Sequence, residues 1–411
     1  MTKAKSGRIA PRKDLHDGRS VWADSSTRPV KLSKFRQSQK FEIVVVGAGI
    51  SGAITALTLS SAGHEVAIVD RRMPGQGSTV ASTAMIQFEI DTPLIKLAEK
   101  IGKANATRAY LRSAKAVCDL GHLIEQHRLD AKWLERDALY LAGNEMGFRG
   151  LEAETAARRK IGLQSRYLTK QEVLDQFEIE STGAILSKGS AELDPARMSA
   201  SCLNAAEKAG AVVFAPCEVV AVKSDGGLVQ LSLKGGGILE CRKAIFATGY
   251  EVIGGLPRDA FDIVSSWAIA TKPISPASFW PTRCLIWEAA DPYLYMRTTF
   301  DNRIIAGGED SGLIDAVRRA AAIPSKSAKL MHKVAKLLGR ADLTIDYAWA
   351  GAFADSPTGL PVFKELPDLP GVFVILGCGG NGITFSVIAS QVVKAWVRGR
   401  TDKDAELFTG R

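Results

Sequence analysis

The sequence predicts an α/β protein in which a Rossmann-type domain is interleaved with a mixed α+β domain. Three observations lead there. A short apolar run at 41–46 enters Gly47-x-Gly49-x-x-Gly52, continues into a small-residue helix at about 51–62, and reaches a second apolar run at 65–69. That is a βαβ opening. At the far end VFVIL enters GCGGNGITFS, where Gly377, Gly379 and Gly382 repeat the glycine pattern ahead of an apolar helix. Between the two ends the texture alternates between helix-rich and strand-rich stretches, as when a chain leaves one domain and returns to it.

Taken in order, residues 92–180 are charged and helical, and the run from Ile95 to His127 fits two amphipathic helices. Asp194-Pro195 opens another helix, with proline suited to the first turn. AVVFAP and EVVAVKS read as strands, Asp225-Gly226-Gly227 as a hairpin turn, and KAIFATG as a further strand. From 261 to 310 the chain is strand-rich; a basic helix at about 325–339 and the extended ADLTIDYAWAGAF follow. This divides the chain into a basic arm (1–40), Rossmann-domain parts at 41–92, 190–257 and 346–411, and substrate-domain parts at 93–189 and 258–345.

Charge narrows the function classes. The chain carries +9, yet 11 of its 53 Lys+Arg and only three of its 44 acids (Asp14, Asp17, Asp24) fall in the first 40 residues. The body is nearly neutral, which argues against nucleic acid as a partner, because phosphate neutralisation needs a basic face on the fold. The basic stretch lacks an apolar segment and three Asp residues weaken a transit-peptide reading, so an extended arm, loose at its start, is expected. No apolar run approaches the roughly 20 residues of a membrane span. Six cysteines show no CxxC and no metal-ligand spacing with histidine; they read as free thiols in a reducing, cytoplasmic setting, with no metal site.

The first glycine turn has the full context of a dinucleotide site. Its glycines allow a tight turn, close approach of a pyrophosphate and close helix–strand packing. The helix N-terminus offers free N–H groups to phosphate, and Asp70 ends the next strand where an acid is needed for a ribose hydroxyl. The second turn lacks that context. After its helix only TDKDAELFTGR remains, with no strand to present an acid. A strand, a nest of N–H groups and a helix N-terminus are left, which suit a partial negative charge. The two turns are therefore read as holding opposite ends of one long cofactor.

VVVGAGISGAITALTLSSAGHEVAIVDRR, GSTVASTAMIQF, KAIFATGY, WAGAFADSPTGLP and GCGGNGITFS follow one another as in the FAD-dependent D-amino-acid oxidase superfamily, which the chain resembles over about 41–400. The resemblance implies an FAD-binding Rossmann domain. Gly47, Gly49, Ile50, Ser51 and Gly52 would form the pyrophosphate turn, and Asp70 would take the ribose with Arg71 beside it. Ser78, Ala81, Ser82, Thr83 and Met85 would run along the ribityl chain and ring. Val219 would meet adenine through its backbone, Thr248 and Gly249 would form the ATG turn, and Gly380, Asn381, Gly382, Ile383 and Thr384 would hold the pyrimidine end.

Departures matter as well. Cysteine and histidine are missing where relatives attach FAD covalently, so non-covalent FAD is expected. Ala352 and Phe353 stand where several amino-acid-using members carry an arginine for the substrate carboxylate.

The reaction implied is oxidation of a C–N bond by hydride transfer to flavin N5, giving an imine that hydrolyses, with oxygen or a respiratory carrier as acceptor. For substrate contacts, alternation in DPYLYMRTTF puts Tyr293, Tyr295 and Arg297 on one face. Arg297 is a candidate carboxylate clamp and an exposed edge residue in equal measure. Trp349 is a possible wall but more naturally a core indole. In MIQFEID, Asp91 reads as a helix cap and Cys378 as a small apolar residue. Alternatives are a 2-hydroxyacid dehydrogenase, which shares the architecture, and a subunit of a heteromeric oxidase. A flavin hydroxylase is disfavoured because GCGGNG lacks the Gly-Asp that such enzymes carry.

Overall fold

The computed structural model describes residues 5–9, 13–251 and 261–410. The expected boundary between 257 and 258, and the start of the arm, lie outside these residues. Two sheets organise the molecule. The first has a parallel core in the order Val372–Leu376, Ile238–Gly249, Ser38–Val46, Val66–Val69, Val212–Phe214. Its central strands carry apolar residues toward both faces, as a parallel sheet covered on both sides requires. Helices Ile50–Ser60, Pro195–Lys208 and Gly382–Val397 cover one face. The hairpin Val219–Asp225 and Leu228–Leu233 packs on the other, turning at Gly226 and Gly227.

The second sheet has nine strands in path order: His16–Arg19, Ile345–Asp355, Asp262–Thr271, Ile304–Ser311, Leu294–Thr298, Leu285–Glu288, Leu134–Leu141, Gly183–Glu192 and Met85–Ile86. Ser165–Thr169 adds to Gly183–Glu192. Helix Ile323–Leu337 lays Leu330 and Val334 on this sheet.

Two expectations change. Ile345–Asp355, assigned by sequence to the Rossmann part, pairs along its length with Asp262–Thr271 in the second sheet. The turn signal SPTGLP comes only after that strand, so the chain changes sheets about ten residues later than expected. Met85–Ile86 likewise belongs to the second sheet. The arm is also more than a loose lead. Lys5–Arg8 joins the first sheet and His16–Arg19 the second. Val21 and Trp22 are buried, an apolar pair that anchors an otherwise polar stretch.

Candidate active site

Between the two sheets runs a long cleft whose lining extends from Gly47 and Asp70 to Tyr293 and Gly380. At one end Gly47 adopts φ 112°, and a Cβ there would lie 2.3 Å from the Ala247 carbonyl oxygen. No other residue fits this turn. Asp70 accepts hydrogen bonds from the amides of Ala48 (2.7 Å) and Arg72 (2.8 Å). Burial, opposed by those two amides, raises its pKa. Arg71 lies 3.6 Å from both Glu218 and Glu251, and Arg72 grips Glu251 at 2.7 Å. Glu251 in turn accepts from the amide of Lys13 in the arm.

The middle of the cleft is built by the loop at 78–85. Three successive carbonyls of this loop are tied down from behind. Trp349 Nε1 donates to Ala81 O at 2.9 Å, Trp22 Nε1 to Ser82 O at 2.7 Å, and Arg297 Nε to Thr83 O at 2.6 Å. Ala84 then takes φ 53°, a left-handed backbone unusual for a residue with a side chain. Its amide donates to Ser82 Oγ. Thr79 Oγ1 accepts from the Ile50 amide, joining the loop to the first glycine turn.

At the other end Gly377 and Gly379 have positive φ, and the 379–382 turn opens helix Gly382–Val397. Asn381 Nδ2 donates to Glu89 O and Thr384 Oγ1 to Gln87 O, so this turn positions the 87–89 segment. Gly380 donates its amide to Asp91 Oδ2 at 3.2 Å. Asp91 faces the open space of the cleft, with its pKa pushed up to about 6 by desolvation. Tyr293, Tyr295 and Trp287 share this end; Trp287 stacks on Tyr140 at 3.7 Å, and Tyr293 donates its hydroxyl to Asp310 at 2.6 Å.

The structure brings the sequence-predicted cofactor residues onto this one cleft, with two exceptions. Gly52 lies under the turn, where a Cβ would sit 1.8 Å from Gly47 O. Thr384 spends its hydroxyl on Gln87 O. Tyr293, Tyr295 and Trp349 line the cleft, but Arg297 does not. It is buried, and its Nε, Nη1 and Nη2 go to the carbonyls of Thr83, Thr298 and Leu193. Strand alternation put it on the right face, one step too far along, beneath the loop. The carboxylate clamp expected there is therefore replaced by a brace for the loop.

Asp91 also differs from expectation. The helix Leu94–Ile101 is capped by Glu154, whose carboxylate accepts from the amides of Leu94 and Ile95 at 2.9 Å each. Asp91 is left to face the cleft. Cys378 lines the cleft, and desolvation pushes its thiol up to about 12, so it stays protonated.

Trp22, Leu15, Thr79, Gln87 and Glu251 were missed by sequence reasoning. The only signal for the arm was its isolated Val21-Trp22 pair.

The residues fit a long dinucleotide. The crowded glycine at 47 clears one end, and the polar atoms Ser78 Oγ, Gln87 Nε2 and Trp287 Nε1 are buried in the cleft without a protein partner. Such atoms need a ligand or water to satisfy them. Gly47 and Asp70 would hold the adenosine and pyrophosphate side, and the 78–85 loop and 379–382 turn the ring side.

Two sheets with a long cleft between them and a glycine turn at each end make a site for a dinucleotide cofactor. The family model for FAD dependent oxidoreductases matches residues 42–396, and the chain belongs to that family. It is similar to the glycine oxidase of Geobacillus kaustophilus (strain HTA426), 25% identical over 380 residues that cover 87% of this chain and 92% of that one. The gamma-glutamylputrescine oxidoreductase of Escherichia coli (strain K12) is 22% identical over 410 residues, covering 95% and 90%. The crystal structure of the Geobacillus kaustophilus glycine oxidase matches the fold with a TM-score of 0.74 at 23% identity, over 90% of this chain and 98% of that one. The protein is an FAD-dependent oxidoreductase.

Proposed function

We propose that the protein oxidises a C–N bond of a small amine or amino acid, releasing an imine that water hydrolyses to a carbonyl compound and a nitrogen product. FAD, which the two glycine turns and the 78–85 loop would hold non-covalently, would supply a two-electron acceptor for hydride from the carbon that bears nitrogen.

The protein's own groups bind and orient. The 78–85 loop, fixed by Trp349, Trp22 and Arg297, sets one wall of the reaction space. Tyr293, Tyr295 and Trp287 wall the substrate side. Burial holds the Tyr295 phenol up at about 12, so it stays a neutral hydroxyl.

The observation that carries the reading is this aromatic-walled space opening directly beside the 379–382 turn. Two relatives named for glycine and for gamma-glutamylputrescine, both nitrogen compounds, support it.

The test is anaerobic mixing of the yellow protein with D- and L-amino acids, N-methyl amino acids, polyamines and 2-hydroxy acids. Bleaching by a nitrogen compound, with the matching carbonyl product, is expected; bleaching by a hydroxy acid alone overturns the amine reading. Acid precipitation should release the flavin into solution. Admitting air after bleaching separates oxygen from a respiratory carrier as acceptor.

A further inference from the structure

Resting on the reading just given, we infer that Asp91 is the anchor for a positively charged group, so that this cleft selects small organic cations lacking a free α-carboxylate. Three observations carry it.

Asp91 presents its carboxylate to the cleft, and among the described residues a single amide, that of Gly380, donates to it, at a long 3.2 Å. A carboxylate with room for further bonds favours a cationic donor.

The surroundings are negative or neutral. Asp310 and Asp355 both act on Asp91, and its own charge reaches the phenols of Tyr140, Tyr250, Tyr293 and Tyr295. The nearby cations are engaged elsewhere. Arg158 is fully buried between Glu89 and Glu154, Lys326 meets Glu309, and Lys100 donates to Pro357 O. Among the described residues the only basic side chains lining the cleft are Arg71 and Arg72, which sit beside Asp70 and Glu251 at the opposite end. A carboxylate placed beside Asp91 would meet like charge with no counter-charge.

Gln87 and Trp287, which line the cleft, are neutral, and their Nε2 and Nε1 are buried with no hydrogen-bond partner among the described residues. The rings of Tyr293 and Tyr295, 5.7 Å apart, add faces on which a cation is stabilised.

The probe is tetramethylammonium chloride, which has no N–H and no lone pair and so cannot be oxidised at nitrogen. Its binding to the FAD-loaded protein is read from perturbation of the flavin absorption, against sodium acetate and sodium chloride at equal ionic strength. Saturable binding of tetramethylammonium is expected, weakened at least about tenfold in Asp91→Asn, with acetate binding more weakly. In the unaltered protein the affinity should also fall as pH drops far enough to protonate Asp91, whose pKa the cleft already raises, which tests the anchor even where the variant loses its flavin. Preference for acetate, or tetramethylammonium affinity unchanged by both Asp91→Asn and pH, overturns the inference. Because the probe is inert, tetramethylammonium binding without amine oxidation sinks the proposed reaction alone, and the converse sinks the anchor alone.

Discussion

Ser51 and Ser386 share a hydrogen bond of 2.7 Å between their hydroxyls. It joins helix Ile50–Ser60, which follows the first glycine turn, to helix Gly382–Val397, which follows the second. Residues 335 positions apart thus lie side by side, with both helix N-termini directed at one cleft. Helix N-termini bring free N–H groups and positive dipole ends, so the two turns serve one extended ligand.

Trp22 is expected to matter to flavin retention although it belongs to the N-terminal arm. Trp22→Phe keeps most of the buried ring and removes the donor to Ser82 O. An unsatisfied buried carbonyl costs about 1–3 kcal/mol, or a roughly 5-fold to 150-fold higher Kd for FAD if the loop carries the loss. Titration of flavin-stripped protein by fluorescence quenching checks this. An unchanged Kd would show that the other two donors suffice.

Gly52→Ala should be a folding defect before it is a flavin defect. The new methyl would collide with Gly47 O, which is backbone and cannot swing aside. Overpacking of this kind costs about 1–3 kcal/mol, visible as a lowered urea midpoint in the flavin-free protein.

Arg158→Met should destabilise far more. It leaves Glu89 and Glu154 buried without their shared counter-charge, and breaking such a cluster costs about 3–5 kcal/mol. Glu89, whose pKa burial already raises, would then favour the protonated state. The variant should therefore recover part of its lost stability as pH falls from about 7 to about 5, in a series of urea titrations.

Asp91 gives a pH dependence of definite sign. The surrounding cleft walls desolvate its carboxylate and raise its pKa from 3.8 to about 6 in the flavin-free protein, although the residue as a whole is solvent-exposed, so its effect on stability is small. The folded state then holds this proton more tightly than the unfolded state, and the contribution is fully present below about 4 and lost as pH rises through about 6. An asparagine side chain at this position cannot ionise, and its oxygen can still accept from the Gly380 amide. Flavin-free Asp91→Asn should match the unaltered protein near pH ~4 and melt higher than it at pH ~7. Parallel melting curves at both pH values would remove Asp91 as the titrating group.

The Rossmann core was legible because its signals are local. A strand, three glycines, a helix and Asp70 occupy one short stretch, and Asp194-Pro195 marked its helix correctly: Asp194 accepts from the amides of Ala196 and Arg197. What was missed depends on contacts distant in sequence. Nothing near Trp22 says that it will reach Ser82, and nothing near Asp91 says that Glu154 will cap the following helix in its place. Arg297 shows the limit of alternation, which gives the face of a strand but not what lies over it. Ile345–Asp355 was put in the wrong sheet because residues 346–355 carry no turn signal of their own.

The most direct measurement is the FAD content of the purified chain, alone and in Gly49→Val and Gly380→Val. A Cβ at Gly49 would meet Thr79 Oγ1 at 3.0 Å, and one at Gly380 would meet Asp91 Oδ1 at 2.9 Å, so both variants press side chains, not backbone, into the cleft. One FAD per chain is expected in the unaltered protein, with both variants folded by circular dichroism and colourless. Two FAD per chain, or full flavin content in either variant, would contradict a single cofactor held between the two glycine turns.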